Sequence, residues 1–153
     1  VARLIAKRNK IPLIQITTQK DMFPLTLKGV WQACSENAGP EDIAFPTEEL
    51  EKCSKVIIVS PTWMQQPATP VLAFLNSTST AILKGKDVSV VTLGTGSKLL
   101  AGPHIVEQAV EAAAGKGHLK QHTHFARGPH FWATPMKTTL EQVESQMSEI
   151  MAF

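Results

Sequence analysis

Little in this 153-residue chain points to a charged partner, a membrane or a metal. Its 15 lysines and arginines stand against 13 acids and leave a formal charge of +2. The basic residues are scattered, so no stripe for nucleic acid forms. Long apolar runs are lacking too, and none approaches the roughly 20 residues that span a bilayer. Only two cysteines occur, Cys34 and Cys53, in no metal-ligand spacing. They read as reduced, partly buried thiols of a cytoplasmic protein. No Ser/His/Asp triad and no paired carboxylate stands out, which argues against a hydrolase. Repeats, low-complexity tracts and linkers are absent, so residues 1–153 read as one domain, long enough to bury a core.

What is present is organised around Lys55–Ser97. Lys55-Val56-Ile57-Ile58-Val59-Ser60 is a short β-branched run stopping at Pro61, the pattern of a strand buried on both faces. A loop, Pro61–Pro67, follows. Thr69 then caps a helix with Pro70 at its first position and Val71–Leu75 behind it. Leu83-Lys84-Gly85-Lys86 makes a turn, and Asp87–Leu93 is a second buried strand ending in Gly94-Thr95-Gly96-Ser97. The result is two loops at the carboxyl ends of neighbouring parallel strands, the edge at which open α/β sheets bind ligands.

The rest of the chain extends this alternation. Val1–Arg8 is too short and too charged for a signal peptide and reads as the end of an amphipathic helix with Val1, Leu4 and Ile5 inward. Ile11–Thr17 is expected as a strand, with Pro12 placing it at a sheet edge. Leu27–Cys34 suits a short helix, Asn37–Pro40 a turn, and Thr47–Lys52 a helix with acids in its first turn. A helix opened by Gly102-Pro103 buries Ile105, Val106, Ala109, Val110 and Ala113, and stops at Gly115. Leu119–Phe125 alternates, with Leu119, Gln121, Thr123 and Phe125 on one face and Lys120, His122 and His124 on the other. A last helix from Thr138/Thr139 turns Leu140, Val143, Met147, Ile150 and Met151 inward. Four strands, near residues 11–17, 55–60, 87–93 and 119–125, separated by helices, give an α/β three-layer sandwich.

In this order the segments resemble the flavodoxin-like family, the flavodoxins and the flavin-dependent NAD(P)H and quinone reductases. The residues that carry the likeness are Val56–Trp63, Pro67–Leu75, Leu83–Val88 and Leu93–Gly96, with Val1–Ala6 similar to the end of the family's first helix and Pro12–Ile16 to its second strand. The resemblance implies a parallel sheet of order 2-1-3-4-5. It also implies that the family's first strand and phosphate loop, which would precede Val1, are missing from this sequence, so that the domain is N-terminally incomplete. A central strand left out would orphan buried backbone groups at about 1–3 kcal/mol each.

The same resemblance implies flavin mononucleotide (FMN) as cofactor, held by Pro61, Thr62, Trp63, Met64, Gln65 and Gln66 on one side and by Leu93, Gly94, Thr95 and Gly96 on the other. Trp63 would stack on the ring, and the glycines allow close backbone approach. The expected partners are a redox protein or NAD(P)H, with a homodimer left open. The chain lacks the acidity of flavodoxins, which favours the reductase branch. A cofactor-free binding or assembly module is the alternative. Gly94–Ser97 is neither a dinucleotide fingerprint, since Leu99 stands where a third glycine belongs, nor a Walker loop. His118, His122, His124 and His130 cluster in sequence without a third ligand type nearby, and His122 and His124 are expected on a solvated strand face. Phe131 and Trp132 read as hydrophobic anchors.

Overall fold

Three parallel strands of nine residues each carry the fold in a computed structural model that describes residues 1–18, 43–63, 66–76, 81–95, 103–127 and 136–152. In chain order the elements are α1 (Ala2–Asn9), β1 (Thr17–Thr18), β2 (Ile43–Ala44), α2 (Thr47–Glu51), β3 (Lys55–Trp63), β4 (Gln66–Pro67), α3 (Thr69–Asn76), β5 (Asp87–Thr95), α4 (Pro103–Ala114), β6 (Leu119–Arg127), α5 (Met136–Ser145) and α6 (Met147–Ile150). The main sheet has the order β4-β3-β5-β6, with β3, β5 and β6 parallel and β4 antiparallel to β3. β1 and β2 form a separate antiparallel pair.

Helices cover both faces of this sheet, and each face has its own core. On one side Ile58, Val88 and Val90 pack against Val71, Phe74 and Leu75 of α3 and Val106, Val110 and Ala113 of α4. On the other, Val91 and Phe125 meet Ile5 of α1, Val143 of α5 and Ile150 of α6. The chain is therefore α/β, as its alternating pattern predicts. α1 ends at Lys10, whose left-handed backbone (φ 55°) turns the chain into residues 11–16.

Several boundaries differ from the sequence reading, each for a visible reason. The run at Lys55 does not stop at Pro61 but continues to Trp63. The Asp87 amide donates to the Ser54 carbonyl (3.0 Å), which sets the parallel pattern: Ser54, Val56, Ile58 and Ser60 direct their backbone groups at β5. Lys55, Ile57, Val59 and Pro61 face the opposite edge, so the N–H that Pro61 lacks is not needed by the β5 ladder. The expected loop 61–67 is a hairpin, with Thr62 opposite Pro67 and Trp63 opposite Gln66. Residues 11–16, expected in a strand, have no ladder partner among the described residues, and only Thr17 and Thr18 pair. The helix expected from Thr138 starts at Met136 and breaks at Gln146 into two. Ile105, expected in the buried stripe of α4, is 39% exposed; the stripe runs instead through Val106, Val110, Ala113 and Ala114. The predicted segments Leu27–Cys34 and Asn37–Pro40 lie outside the described residues.

Strand β6 holds the largest departure. Val88 pairs with Leu119 but Ser89 pairs with Gln121, so Lys120 is an extra residue in the strand. The extra residue reverses the facing of Leu119 relative to Phe125. Leu119 joins the α3/α4 core while Phe125 joins the α1/α5/α6 core, not one shared face as simple alternation predicts.

Candidate functional site

The carboxyl ends of β3 and β5 lie side by side. Pro61 pairs with Leu93, and beyond that pair the Thr62 hydroxyl donates to the Leu93 carbonyl (3.2 Å). At Gly94 the Thr62 side chain occupies the place of a Cβ. A Cβ built there would coincide with Thr62 Oγ1 and would stand 3.5 Å from His124 Cε1. Behind this rim the buried Ser60 hydroxyl donates to the Pro61 carbonyl (2.8 Å) and accepts from the Ala68 amide (3.1 Å), fixing the path from β3 to α3. Of the residues predicted to hold a flavin, the structure brings Pro61, Thr62, Trp63, Leu93, Gly94 and Thr95 together by backbone position, with Gln66 across the hairpin from Trp63. Met64, Gln65 and Gly96 lie outside the described residues.

Directly beneath Gly94 runs a hydrogen-bonded chain of polar side chains that the sequence does not announce. The Thr92 hydroxyl, 1% exposed, lies 2.8 Å from His122 Nε2 and 2.8 Å from His124 Nδ1. On its far side His122 Nδ1 is 3.0 Å from Glu107 Oε1 of α4. The His122 side chain is 4% exposed and that of Glu107 is 32% exposed. The expectation of a solvated face is therefore wrong for His122, while His124 is partly exposed. β6 turns His122 under α4, where a buried imidazole must find partners, and Thr92 and Glu107 supply them. Alternation showed that the two histidines share a face. Only the strand register and a helix residue 15 positions earlier show what that face meets. Among the described residues no group of three or more His, Cys, Asp or Glu is arranged to hold a metal ion.

Opposite this rim, at the amino end of β5, Lys120 Nζ lies 3.2 Å and His118 Nδ1 3.4 Å from Asp87 Oδ1. The hydrogen bond from Lys120 holds the Asp87 carboxyl below its usual range of about 3.8, with the charges of Lys120 and His118 acting the same way and desolvation opposing. The Lys86 ammonium caps the end of α2 through the Glu51 and Cys53 carbonyls.

A cavity of about 990 Å³ runs beside β3. Residues 11–18 line it at consecutive positions, as do residues 55–59 of β3. Ala2, Ile5 and Ala6 of α1 close one side, and Leu50, Val71 and Phe74 the other. Ile11 packs into one core while Ile14 and Ile16 pack into the other, the alternation of an extended strand.

No family model, curated protein or solved structure matches the chain. No helix among the described residues is long and apolar enough to cross a membrane.

Proposed function

We propose that this chain binds FMN at the carboxyl rim of β3 and β5 and acts in cytoplasmic redox chemistry, as an NAD(P)H-dependent reductase or an electron-transfer protein. One observation carries the proposal: the Pro61–Leu93 pair sets Thr62–Trp63 beside Gly94–Thr95 at the ends of two parallel strands. In this reading Trp63 stacks on the ring, and Thr62 and the backbone of Gly94 and Thr95 meet its polar edge. The flavin supplies the electron or hydride transfer, while these residues orient it and limit its contact with water. The space beside Gly94 is taken by Thr62, so the threonine, not the glycine, offers the polar atom there. The parallel neighbours β3, β5 and β6 are compatible with strands 3, 4 and 5 of the family's order.

The test is flavin absorbance of the purified protein, followed by titration with FMN. Uptake of about one equivalent is expected. Trp63→Ala should weaken binding up to about tenfold, the worth of one aromatic stack at about 0.5–1.5 kcal/mol. A folded protein that stays colourless and takes up no FMN refutes the proposal.

A second reading, a cofactor-free module that accepts a strand, is favoured by the cavity alone. The cavity of about 990 Å³ is lined by residues 11–18 and by Lys55–Val59 of β3. Stabilisation by an apolar hexapeptide, in a protein that refuses FMN, would favour this reading over the first.

A further inference from the structure

We propose that Glu107, His122, Thr92 and His124 form a proton relay whose outer end, His124, is an acid–base site at the carboxyl rim. The geometry limits how protons can be arranged. A threonine hydroxyl has one hydrogen to donate and lone pairs to accept with. Thr92 Oγ1 stands 2.8 Å from a ring nitrogen of each histidine, so it donates to one and accepts from the other. The Glu107 carboxylate, 3.0 Å from His122 Nδ1, takes the hydrogen on that nitrogen.

Two arrangements satisfy these three bonds. In the first, neutral His122 accepts from Thr92 at Nε2, and Thr92 accepts from His124 Nδ1–H, so Nε2 of His124 carries no proton. In the second, a proton has arrived at His124 Nε2. The Nδ1 proton of His124 passes to Thr92 Oγ1, and the Thr92 proton passes to His122 Nε2. His124 remains neutral with its tautomer reversed, and His122 becomes an imidazolium against Glu107. One proton enters at the rim and one positive charge appears about two side chains deeper, where a carboxylate meets it. A second proton would make both histidines donors to Thr92 and leave its buried hydroxyl hydrogen without the acceptor it had, at about 1–3 kcal/mol. The relay therefore holds one proton.

Position fits such a role. His122 and Thr92 are buried between helix and sheet, whereas His124 is partly exposed and its Cε1 lies toward Gly94 and Thr62. Among the described charged side chains of the elements packed here, Asp87 and Lys120 pair with each other at the opposite end of the strands, Glu111 is exposed on α4, and Lys55 begins β3 at that same opposite end. Glu107 lies 3.0 Å from His122 Nδ1. The chemistry this site fits is a substrate group that takes up or releases one proton as it is converted. Under the flavin proposal that would be the proton accompanying a two-electron reduction, but the relay itself does not depend on flavin.

The experiment is a pH titration of the full chain with nitrogen-15-labelled histidine, reading both ring nitrogens of His122 and His124 by NMR. One shared midpoint is expected. On acidification through it, His122 gains a second N–H while His124 changes from the Nδ1–H to the Nε2–H form. Thr92→Ser should preserve the coupling, and Thr92→Val should split it into two separate titrations. Glu107→Gln, which removes the compensating carboxylate, should lower the proton affinity of the pair about tenfold or more. Separate midpoints in the unaltered protein, or a His124 tautomer that never changes, overturn the proposal. So does a Thr92→Val protein that keeps native dispersion and still titrates as one unit. None of these readings requires bound flavin, so loss of the flavin proposal would leave this result standing.

Discussion

Replacing Gly94 by alanine probes the contact that joins the two strand ends. Gly94 is not among the residues with positive φ, so an alanine backbone fits there without strain. Taken alone, the change would stabilise the protein by about 0.4–1 kcal/mol through the unfolded chain. The new methyl, however, falls on Thr62 Oγ1 and 3.1 Å from Thr62 Cβ. Threonine is stiff at χ1, so its side chain can move only by leaving its rotamer and its bond to Leu93. The lost bond is worth about 0.5–1.5 kcal/mol net. Overpacking adds about 1–3 kcal/mol. The expected outcome is a net destabilisation of about 0.5–4 kcal/mol. Thr62→Ala removes the clashing oxygen, so the double variant should be more stable than the sum of the single changes by about 1–3 kcal/mol. Urea unfolding followed by circular dichroism measures all four proteins. An alanine variant as stable as the starting protein, or strictly additive changes, would refute the close approach of Thr62 and Gly94.

Two further outcomes are expected. Leu83 is fully buried in the turn before β5, so Leu83→Ala should cost about 2–5 kcal/mol, while Leu13→Ala, at a site 46% exposed, should cost far less in the same assay. Asp87 titrates below its unfolded value of about 3.8, so its contribution to stability is present above that pH and is lost as the pH falls through the lowered folded value. The difference in Tm between the unaltered protein and Asp87→Asn should therefore be larger at neutral pH than near pH 2; a difference that grows on acidification would contradict the Lys120 contact.

Local pattern was enough to find the parallel strands and most helices. β3, β5 and β6 show as β-branched or alternating runs because a strand's side chains repeat every two residues, and α3 shows by its proline-led start. The same logic placed two strand ends at one rim, since a helical crossover between successive strands makes them parallel. It failed where a residue's role depends on what lies across from it. The bulge at Lys120 leaves no trace in composition, yet it changes which core Leu119 and Phe125 enter. Pro61 looks like a strand end until the register shows that its missing N–H faces away from β5.

The amino-acid order by itself settled that this is an α/β chain and where its main strands begin. Burial of β-branched runs and the 3.6-residue helix period are properties of neighbouring residues. Tertiary structure alone decided that Thr92, His122 and His124 share one set of hydrogen bonds, that Glu107 closes it from another element, and that residues 11–18 and 55–59 line one cavity. Those outcomes depend on register and on helix placement, which bring together residues far apart in the chain.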